Sequence, residues 1–323
     1  MPRLLGGEES RHCNRIYITR KPRPVGGELH YFLCGTISMD IVLSSFIIGI
    51  SYGFILFLLG TGLSLTMGLM KIVNLAHGAI YMVGAYVGLT VARYTQNFVM
   101  GVLGGGIAAG LLGMLLEVGF LRRLYKRNLD QALLTIGFVY VLLNLVQWIW
   151  GPLPQSSFVP NVWSHSIPIA NLKIPLFRLI TIAVGIVAAV GLWFFQAKTR
   201  IGAIIRAGMD NQEMTRGLGI RLPVIFTSVF AFGAFVAGCC GLFGGQSLGI
   251  SLDIGWDVLL LSMMVVVIGG TGSIQGALVG GLLIGLAETY GKVFFPGVAY
   301  FTMYVLLIIV LLVRPSGLLG RQI

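Results

Sequence analysis

Long apolar segments follow one another through almost the whole chain from Ile41 onward. They cover residues 41–70, 77–95, 98–121, 132–150, 175–196, 224–246, 257–270, 275–291 and 298–313. A helix needs about 20 apolar residues to cross a bilayer, and in lipid a helix satisfies its own backbone hydrogen bonds. The pattern therefore predicts an all-α polytopic membrane protein with eight or nine transmembrane helices, some of them broken at glycine-rich loops.

Charged side chains are scarce, and their distribution indicates which loops face the cytoplasm. Only 10% of the 323 residues are charged, with 22 basic against 11 acidic residues, whereas a soluble domain has about 25%. The basic residues form short clusters between apolar segments, as the positive-inside rule expects of a membrane protein. We therefore expect the lipid bilayer, and not nucleic acid, as the partner of the basic surface. The four cysteines lack the spacing of metal ligands, so no metal site is expected.

Two basic loops and the C-terminus determine the predicted orientation. The loop after residue 121 and the stretch 198–223 both carry basic clusters, and Arg314 and Arg321 lie near the end of the chain. These regions are predicted to be cytoplasmic, and the proline-containing linker from Gly151 to Ile174 is predicted to lie outside. Nine crossings would then place the first apolar segment with its N-terminus outside.

The first 38 residues differ from the rest of the chain. They contain six basic residues, three acidic residues, three prolines and no long apolar run. This composition predicts a segment, residues 1–38, that is disordered or absent from the natural protein, with Met39 as the true start. Residues 39–323 would form one transmembrane permease domain containing the cytoplasmic segment 198–223.

One polar stretch within segment 198–223 predicts a short helix at the membrane surface. Asp210 and Glu213 have the spacing of a capping box, and Gly217 or Gly219 could supply the left-handed residue that ends a helix. A helix over residues 211–216 would expose Met214 for docking to a cytoplasmic partner. The alternative is a surface loop that happens to be helical and has no docking role. The candidate docking residues are Arg206, Asp210, Asn211, Glu213, Met214, Arg216, Gly217 and Gly219.

Polar residues also interrupt the apolar pattern after Met70. Asn74, His77 and Gly78 lie between the first two apolar segments. Polar side chains at membrane depth commonly line a pathway or satisfy broken backbone. Either Asn74 and His77 line or gate a route, or they bond to carbonyl groups freed at the break, with His77 neutral.

A second interruption is rich in glycine and comprises Gly270, Thr271, Gly272 and Ser273. It lacks the lysine of a nucleotide-binding loop, so we expect no ATP site and no other cofactor in this chain. The loop predicts a glycine-permitted break between two helices, with exposed amides that could contact a solute. Because no catalytic arrangement is evident either, the chain is not expected to be an enzyme.

Several motifs, in order, resemble the LivH-type permeases of branched-chain amino acid ABC importers. Asn74 to Gly78 is similar to the family's N-F-A-H-G, with Leu75 in place of Phe. Residues 200–220 resemble its cytoplasmic coupling segment, and residues 269–276 with 285–288 resemble its G-G-x-G-S-I-x-G and G-L-A-E motifs. Residues 314–320 match its R-P-x-G-L-x-G ending, so the resemblance spans the chain from Met39 to about Gly320.

The resemblance implies a subunit that forms half of a translocation pore in the bacterial cytoplasmic (inner) membrane. Its implied partners are a second permease of LivM type, two cytoplasmic ATPases that bind the ATP, and an extracytoplasmic solute-binding protein. Residues 261–263 and the pair Arg122 and Arg123 depart from the family pattern. These departures leave urea, short amides and other amino acids open as solutes. An ATP-independent secondary transporter is the alternative class.

Overall fold

The computed structural model describes residues 39–125, 127–160, 163, 165–169 and 172–320. The predicted extension, residues 1–38, lies outside the described residues. The chain divides into two units, Met1–Val42 and Leu43–Ile323. In the first unit the described residues form the opening turn of a helix, and the second unit contains all contacts discussed below.

The described residues are mostly helical. The α-helices are α1 (Met39–Met70), α2 (His77–Thr95), α3 (Phe98–Gly119), α4 (Asn128–Trp150), α5 (Leu176–Lys198), α6 (Arg200–Asp210), α7 (Gln212–Gly217), α8 (Leu222–Leu248), α9 (Ile254–Gly269), α10 (Ile274–Phe294) and α11 (Ala299–Val313). Short 3₁₀ helices at Leu121–Leu124 and Pro296–Val298 join neighbouring helices. This architecture confirms an all-α polytopic fold.

Six of these helices are long and apolar enough to cross a bilayer, namely α1, α3, α4, α5, α8 and α10. The apolar helices Ile254–Gly269 and Phe301–Val313 are shorter. The protein is therefore a multi-pass integral membrane protein. The count of eight or nine crossings stays a prediction.

The linker between α4 and α5 contains a small hairpin that the apolar pattern does not predict. Strand β1 (Ser166–Ile169) pairs antiparallel with β2 (Leu172–Pro175). Gln155 forms an isolated bridge to Ile250, just after α8. The Gln155 amide donates to the Ile250 carbonyl at 2.8 Å and so holds the start of the linker against the end of α8.

Glycines allow α2, α3 and α8 to pack closely. A Cβ atom added to Gly84 would lie 2.4 Å from the Cα atom of Gly238, and one added to Gly105 would lie 2.4 Å from the carbonyl oxygen of Gly84. Small residues at such crossings let membrane helices approach closely. These three helices form the tightly packed part of the fold, whereas α4 and α5 lie at its periphery, with only 22% of each span buried.

Two glutamates near span ends are held in different ways. Glu288 forms an ion pair with Lys292, at 2.6 Å, as expected for an internal pair on one helix face. The buried Glu117 instead accepts hydrogen bonds from the hydroxyl groups of Tyr125 and Thr227. Burial, together with its bond to Glu117, raises the pKa of Tyr125, so this hydroxyl stays protonated and can donate. Glu117 thereby fastens the end of α3 to the start of α8.

Candidate functional site

The polar stretch 198–223 folds into two helices, and its cap differs from the predicted one. Asn211 is extended and its Oδ1 accepts hydrogen bonds from the amides of Glu213 and Met214, both at 3.0 Å. The predicted capping box of Asp210 and Glu213 is therefore wrong, because Asp210 is the last residue of α6 and has helical geometry. Gly219, with φ of +80°, is the left-handed residue after α7, whereas Gly217 is its last helical residue.

The outer face of α7 presents both apolar and charged groups. Met214 is 72% exposed and Leu218 is 75% exposed. Glu213 and Arg216 are also exposed, and Arg206 on α6 is half-buried. Exposed apolar side chains rimmed by charges are typical of a protein-binding surface. Below we call this face, made by Glu213, Met214, Arg216 and Leu218, the α7 surface.

The inner faces of α6 and α7 pack on the last turn of α1. The Nε2 of Gln212 donates a hydrogen bond to the carbonyl oxygen of Leu69 at 2.7 Å. That carbonyl is one of the last four of α1, which have no partner within a helix. Gly208 packs so closely on the Leu69 side chain that a Cβ atom there would lie 2.8 Å from Cδ1.

Met209 connects the same region to the glycine loop. Its Sδ lies between Gly68 of α1 and Gly272, where added Cβ atoms would come within 3.1 and 2.7 Å of the sulfur. The structure thus brings the predicted docking segment and the predicted glycine loop into direct contact.

The glycine loop breaks the chain between α9 and α10, as predicted. Gly270 and Gly272 have φ of +96° and +78°, and the Oγ of Ser273 caps α10 by accepting from the amide of Gly276 at 3.0 Å. Thr271 is exposed.

Two amides of this loop, those of Gly270 and Gly272, are bonded within the protein and are not free to contact a solute. The Gly270 amide donates to the Val266 carbonyl at 2.8 Å. The Gly272 amide donates to Ser64, to its carbonyl oxygen at 3.2 Å and to its Oγ at 2.9 Å. For these two residues the loop amides bind the protein itself and fasten the loop to α1.

Asn74 and His77 organise the break between α1 and α2. Both side chains are 2% exposed. The Oδ1 of Asn74 accepts from the Ala76 amide at 3.1 Å, and the Nε2 of His77 lies 3.1 Å from the Leu59 carbonyl oxygen. Because a carbonyl only accepts, Nε2 carries the hydrogen of this bond. His77 therefore donates to a carbonyl inside the continuous helix α1, not to one freed at the break, and Asn74 accepts from an amide near the start of α2.

Gly78 marks the tightest helix contact at this break. A Cβ atom added there would lie 1.8 Å from the Gly255 carbonyl oxygen. The residue leaves room for the start of α9 to cross α2.

Three separate segments therefore attach to α1 at regular intervals. His77 bonds to Leu59, the Gly272 amide bonds to Ser64, and Gln212 bonds to Leu69. At a rise of about 1.5 Å per residue, Leu59 and Leu69 are about 15 Å apart. The docking segment and the glycine loop contact α1 near its end, and His77 contacts α1 further toward its start.

Sequence reasoning did not identify Ser64, Gly68, Gly208, Met209 or Gln212. A signal existed for α6, since Ile201, Ile204, Ile205 and Gly208 have the i, i+3, i+4, i+7 spacing of an amphipathic helix. No comparable local signal distinguishes Ser64 or Gly68 from their apolar neighbours, because their partners are more than one hundred residues away in the chain.

Known proteins resemble this chain over most of its length. The high-affinity branched-chain amino acid transport system permease protein LivH of Escherichia coli (strain K12) is 29% identical over 293 residues, covering 84% of this chain and 94% of that protein. The permease protein BraD of Pseudomonas aeruginosa is 29% identical over 289 residues with the same coverage, 84% and 94%.

A solved structure supports the same fold. PsaBC from Streptococcus pneumoniae in complex with Fab is similar, with a TM-score of 0.50 and 12% identity, and the match covers 89% of this chain and 97% of that chain. The sequence model described as "Branched-chain amino acid transport system / permease component" matches residues 45–313, which include every attachment to α1 described above. The chain therefore belongs to the family of branched-chain amino acid transport system permease components.

Proposed function

We propose that this protein is a permease subunit of an ATP-driven importer of branched-chain amino acids, and that it forms half of the translocation pore. The observation that carries the proposal is the α7 surface. It exposes Met214 and Leu218, while Gln212 on the opposite side donates a hydrogen bond to Leu69 of α1. The names of the relatives LivH and BraD support the solute class.

The proposed partners are those that membership of this permease family implies, and the α7 surface supports the docking of an ATPase. Two cytoplasmic ATPases bind the ATP, and one of them docks on the α7 surface. A second permease of LivM type completes the pore, and an extracytoplasmic solute-binding protein delivers the amino acid. The subunit lies in the bacterial inner membrane with eight or nine crossings, the 198–223 segment inside and the 151–174 linker outside.

The contacts on α1 provide a route for the movement. An ATPase that shifts α7 displaces Gln212 and Met209, which contact Leu69, Gly68 and Gly272. Because α1 is stiff along its axis, a displacement of its last turn also moves Ser64 and Leu59. The glycine loop is attached at Ser64 and His77 is attached at Leu59. Rearrangement of the glycine loop and of the α1–α2 connection then alternates the access of the pore.

Reconstitution tests the proposal. Proteoliposomes containing this chain, the second permease and the two ATPases are supplied with binding protein and radiolabelled leucine. We expect uptake that requires ATP and all components, and uptake by this chain alone would overturn the proposal in favour of a secondary transporter. Urea or short amides carried in place of leucine would overturn the solute assignment.

A charge introduced into the α7 surface tests ATPase docking. Met214→Asp should abolish ATPase co-purification and uptake, because an aspartate would have to be buried at an apolar contact. Leu129→Asp is the matched control, since Leu129 is 81% exposed at the start of α4, outside the α7 surface. Equal retention of the ATPases by both variants would place the docking surface elsewhere.

A further inference from the structure

A large apolar cavity separates α5 from the tightly packed helices. Its volume is about 460 Å³, within the range of about 300 to 1,000 Å³ typical of small-molecule sites. Its walls are apolar side chains, for example Phe54 and Leu58 of α1, Val184 and Leu192 of α5, and Phe235 and Phe243 of α8. The one hydroxyl in the wall, that of Thr181, is satisfied by donating to the Phe177 carbonyl at 2.9 Å.

The cavity is elongated along the helices. Its lining residues on α5 run from Thr181 to Phe195, which is about 21 Å at a rise of about 1.5 Å per residue. One leaflet contributes about 15 Å of the hydrocarbon thickness of a bilayer. The cavity is therefore long enough to hold a lipid acyl chain of one leaflet, and it exceeds the length of an amino acid side chain.

A cationic side chain lies one turn beyond the cavity. Arg178 precedes Thr181 by three residues on α5, so both lie on the same face of that helix. Its Nη1 donates to the Oγ of Ser247 at 3.0 Å, and Ser247 in turn lies one turn beyond Phe243 on α8.

The guanidinium of Arg178 retains further hydrogen-bonding capacity. An arginine has five N–H donors, and within the described parts of the chain the ion pairs are those of Arg127 and Lys292, not of Arg178. A partly buried cation at the end of a membrane span, without a carboxylate partner there, favours an anionic ligand.

We propose that the cleft between α5 and α8 binds an anionic phospholipid, with one acyl chain in the cavity and the phosphate group on Arg178. The apolar wall accepts hydrocarbon at no cost in lost hydrogen bonds, whereas the ammonium group of a zwitterionic solute would meet no acceptor. The bound lipid fills the space between α5 and the packed helices and so holds α5 in place.

Photo-crosslinking in vesicles tests the lipid site. The full chain is reconstituted with phosphatidylglycerol that carries a diazirine on one acyl chain, and labelled peptides are identified by mass spectrometry. We expect labelling concentrated on the cavity-facing residues of α5 and α8. Labelling spread evenly over the exposed faces of α3 and α4 would overturn the proposal.

A cavity-filling variant and a matched control separate specific from general lipid contact. An added side chain at Gly191 meets open space, and the same holds for Gly137 on α4. Gly191→Phe should reduce cavity labelling about tenfold, the factor expected when two methylene groups lose their burial, while Gly137→Phe should leave it unchanged. Gly191→Val provides a smaller substitution if the larger variant does not purify as a single species, and unchanged labelling in a well-folded variant would contradict the site.

Further experiments test the contact between Arg178 and the lipid headgroup, and they test whether another molecule occupies the cleft. Arg178→Gln should remove the preference for phosphatidylglycerol over a neutral diacylglycerol probe, and Arg178→Lys should keep it. Excess leucine should not compete, because competition would assign the cleft to the solute. Complete protection by the co-reconstituted second permease would show that a protein helix fills the cleft and would likewise overturn the proposal.

Discussion

At the scale of single residues, Asn211 decides where the surface helix begins. Its side chain satisfies two amides that otherwise lack partners at the start of α7. Asn211→Ala should cost about 1 kcal/mol of local stability and speed hydrogen exchange at Glu213 and Met214 about fivefold. Hydrogen-exchange mass spectrometry of the purified protein measures the effect.

Two companion variants test the assignment of the cap. Asn211→Ser retains a side-chain acceptor and should keep slow exchange. Faster exchange of these two amides in Asp210→Ala, with no change in Asn211→Ala, would restore the capping box that the sequence suggested.

Gly78 is the residue at which a single methyl group should matter most. The added Cβ of Gly78→Ala would overlap the Gly255 carbonyl oxygen, at 1.8 Å, so α9 must move away. We expect a loss of about 1 to 3 kcal/mol, as for other overpacked contacts, visible as a lower midpoint of thermal unfolding in detergent. Gly137→Ala is the control, since a Cβ there meets nothing within 4 Å. Equal midpoints for the two variants would show that α2 and α9 do not cross so closely.

Residue-level predictions were successful where the relevant partner is near in sequence. The exposure of Met214 and the left-handed Gly219 follow from local helix rules. The cap was misplaced by one residue because Asp210 and Asn211 both cap helices well, and only the existence of α6 excludes Asp210. The close contact at Gly78 depends on the position of Gly255, which no local sequence pattern predicts.

At the scale of elements, α1 is the helix that the other candidate segments share. His77, Gly272 and Gln212 come from three different parts of the chain and attach to Leu59, Ser64 and Leu69. The apolar pattern predicts α1 and both breaks, because hydrophobicity and glycine content are local properties. It does not predict that the breaks and the docking segment meet on one helix, because their pairing is determined by tertiary packing.

Gln212 should couple ATP hydrolysis to transport. In the reconstituted complex, Gln212→Met keeps the length of the side chain but removes the donor to Leu69. We expect leucine uptake to fall about tenfold, the factor for one lost hydrogen bond, while ATPase co-purification and ATP hydrolysis are maintained. The ratio of solute transported to ATP hydrolysed is the measurement.

The controls for Gln212 separate coupling from folding. Gln212→Lys retains a donor and should restore much of the ratio, and Gln147→Met changes an exposed glutamine on α4 and should leave it unchanged. A joint loss of uptake, hydrolysis and ATPase binding in Gln212→Met would indicate a structural role only. Wild-type uptake that does not require ATP would instead contradict the proposed function itself.

At the scale of the whole molecule, the basic loops predict which ends of the helices face the cytoplasm, and the proposed docking of an ATPase depends on this orientation. The α7 surface can meet a cytoplasmic ATPase only if it lies on the opposite side of the membrane from the 151–174 linker. One apolar candidate span, α5, separates these two regions in the chain, so we expect a single crossing to place them on opposite sides.

Cysteine labelling measures this orientation. In a cysteine-free background, Leu153→Cys and Leu218→Cys introduce thiols at positions that are 73% and 75% exposed. A membrane-impermeant maleimide should label Leu153→Cys in spheroplasts and Leu218→Cys only in inverted membrane vesicles, because the cluster of lysines and arginines around α6 and α7 is retained on the cytoplasmic side. Labelling of both positions from one side would mean that α5 does not cross the membrane. Labelling of Leu218→Cys from the outside alone would separate the α7 surface from any source of ATP, and the docking role would then have to be abandoned.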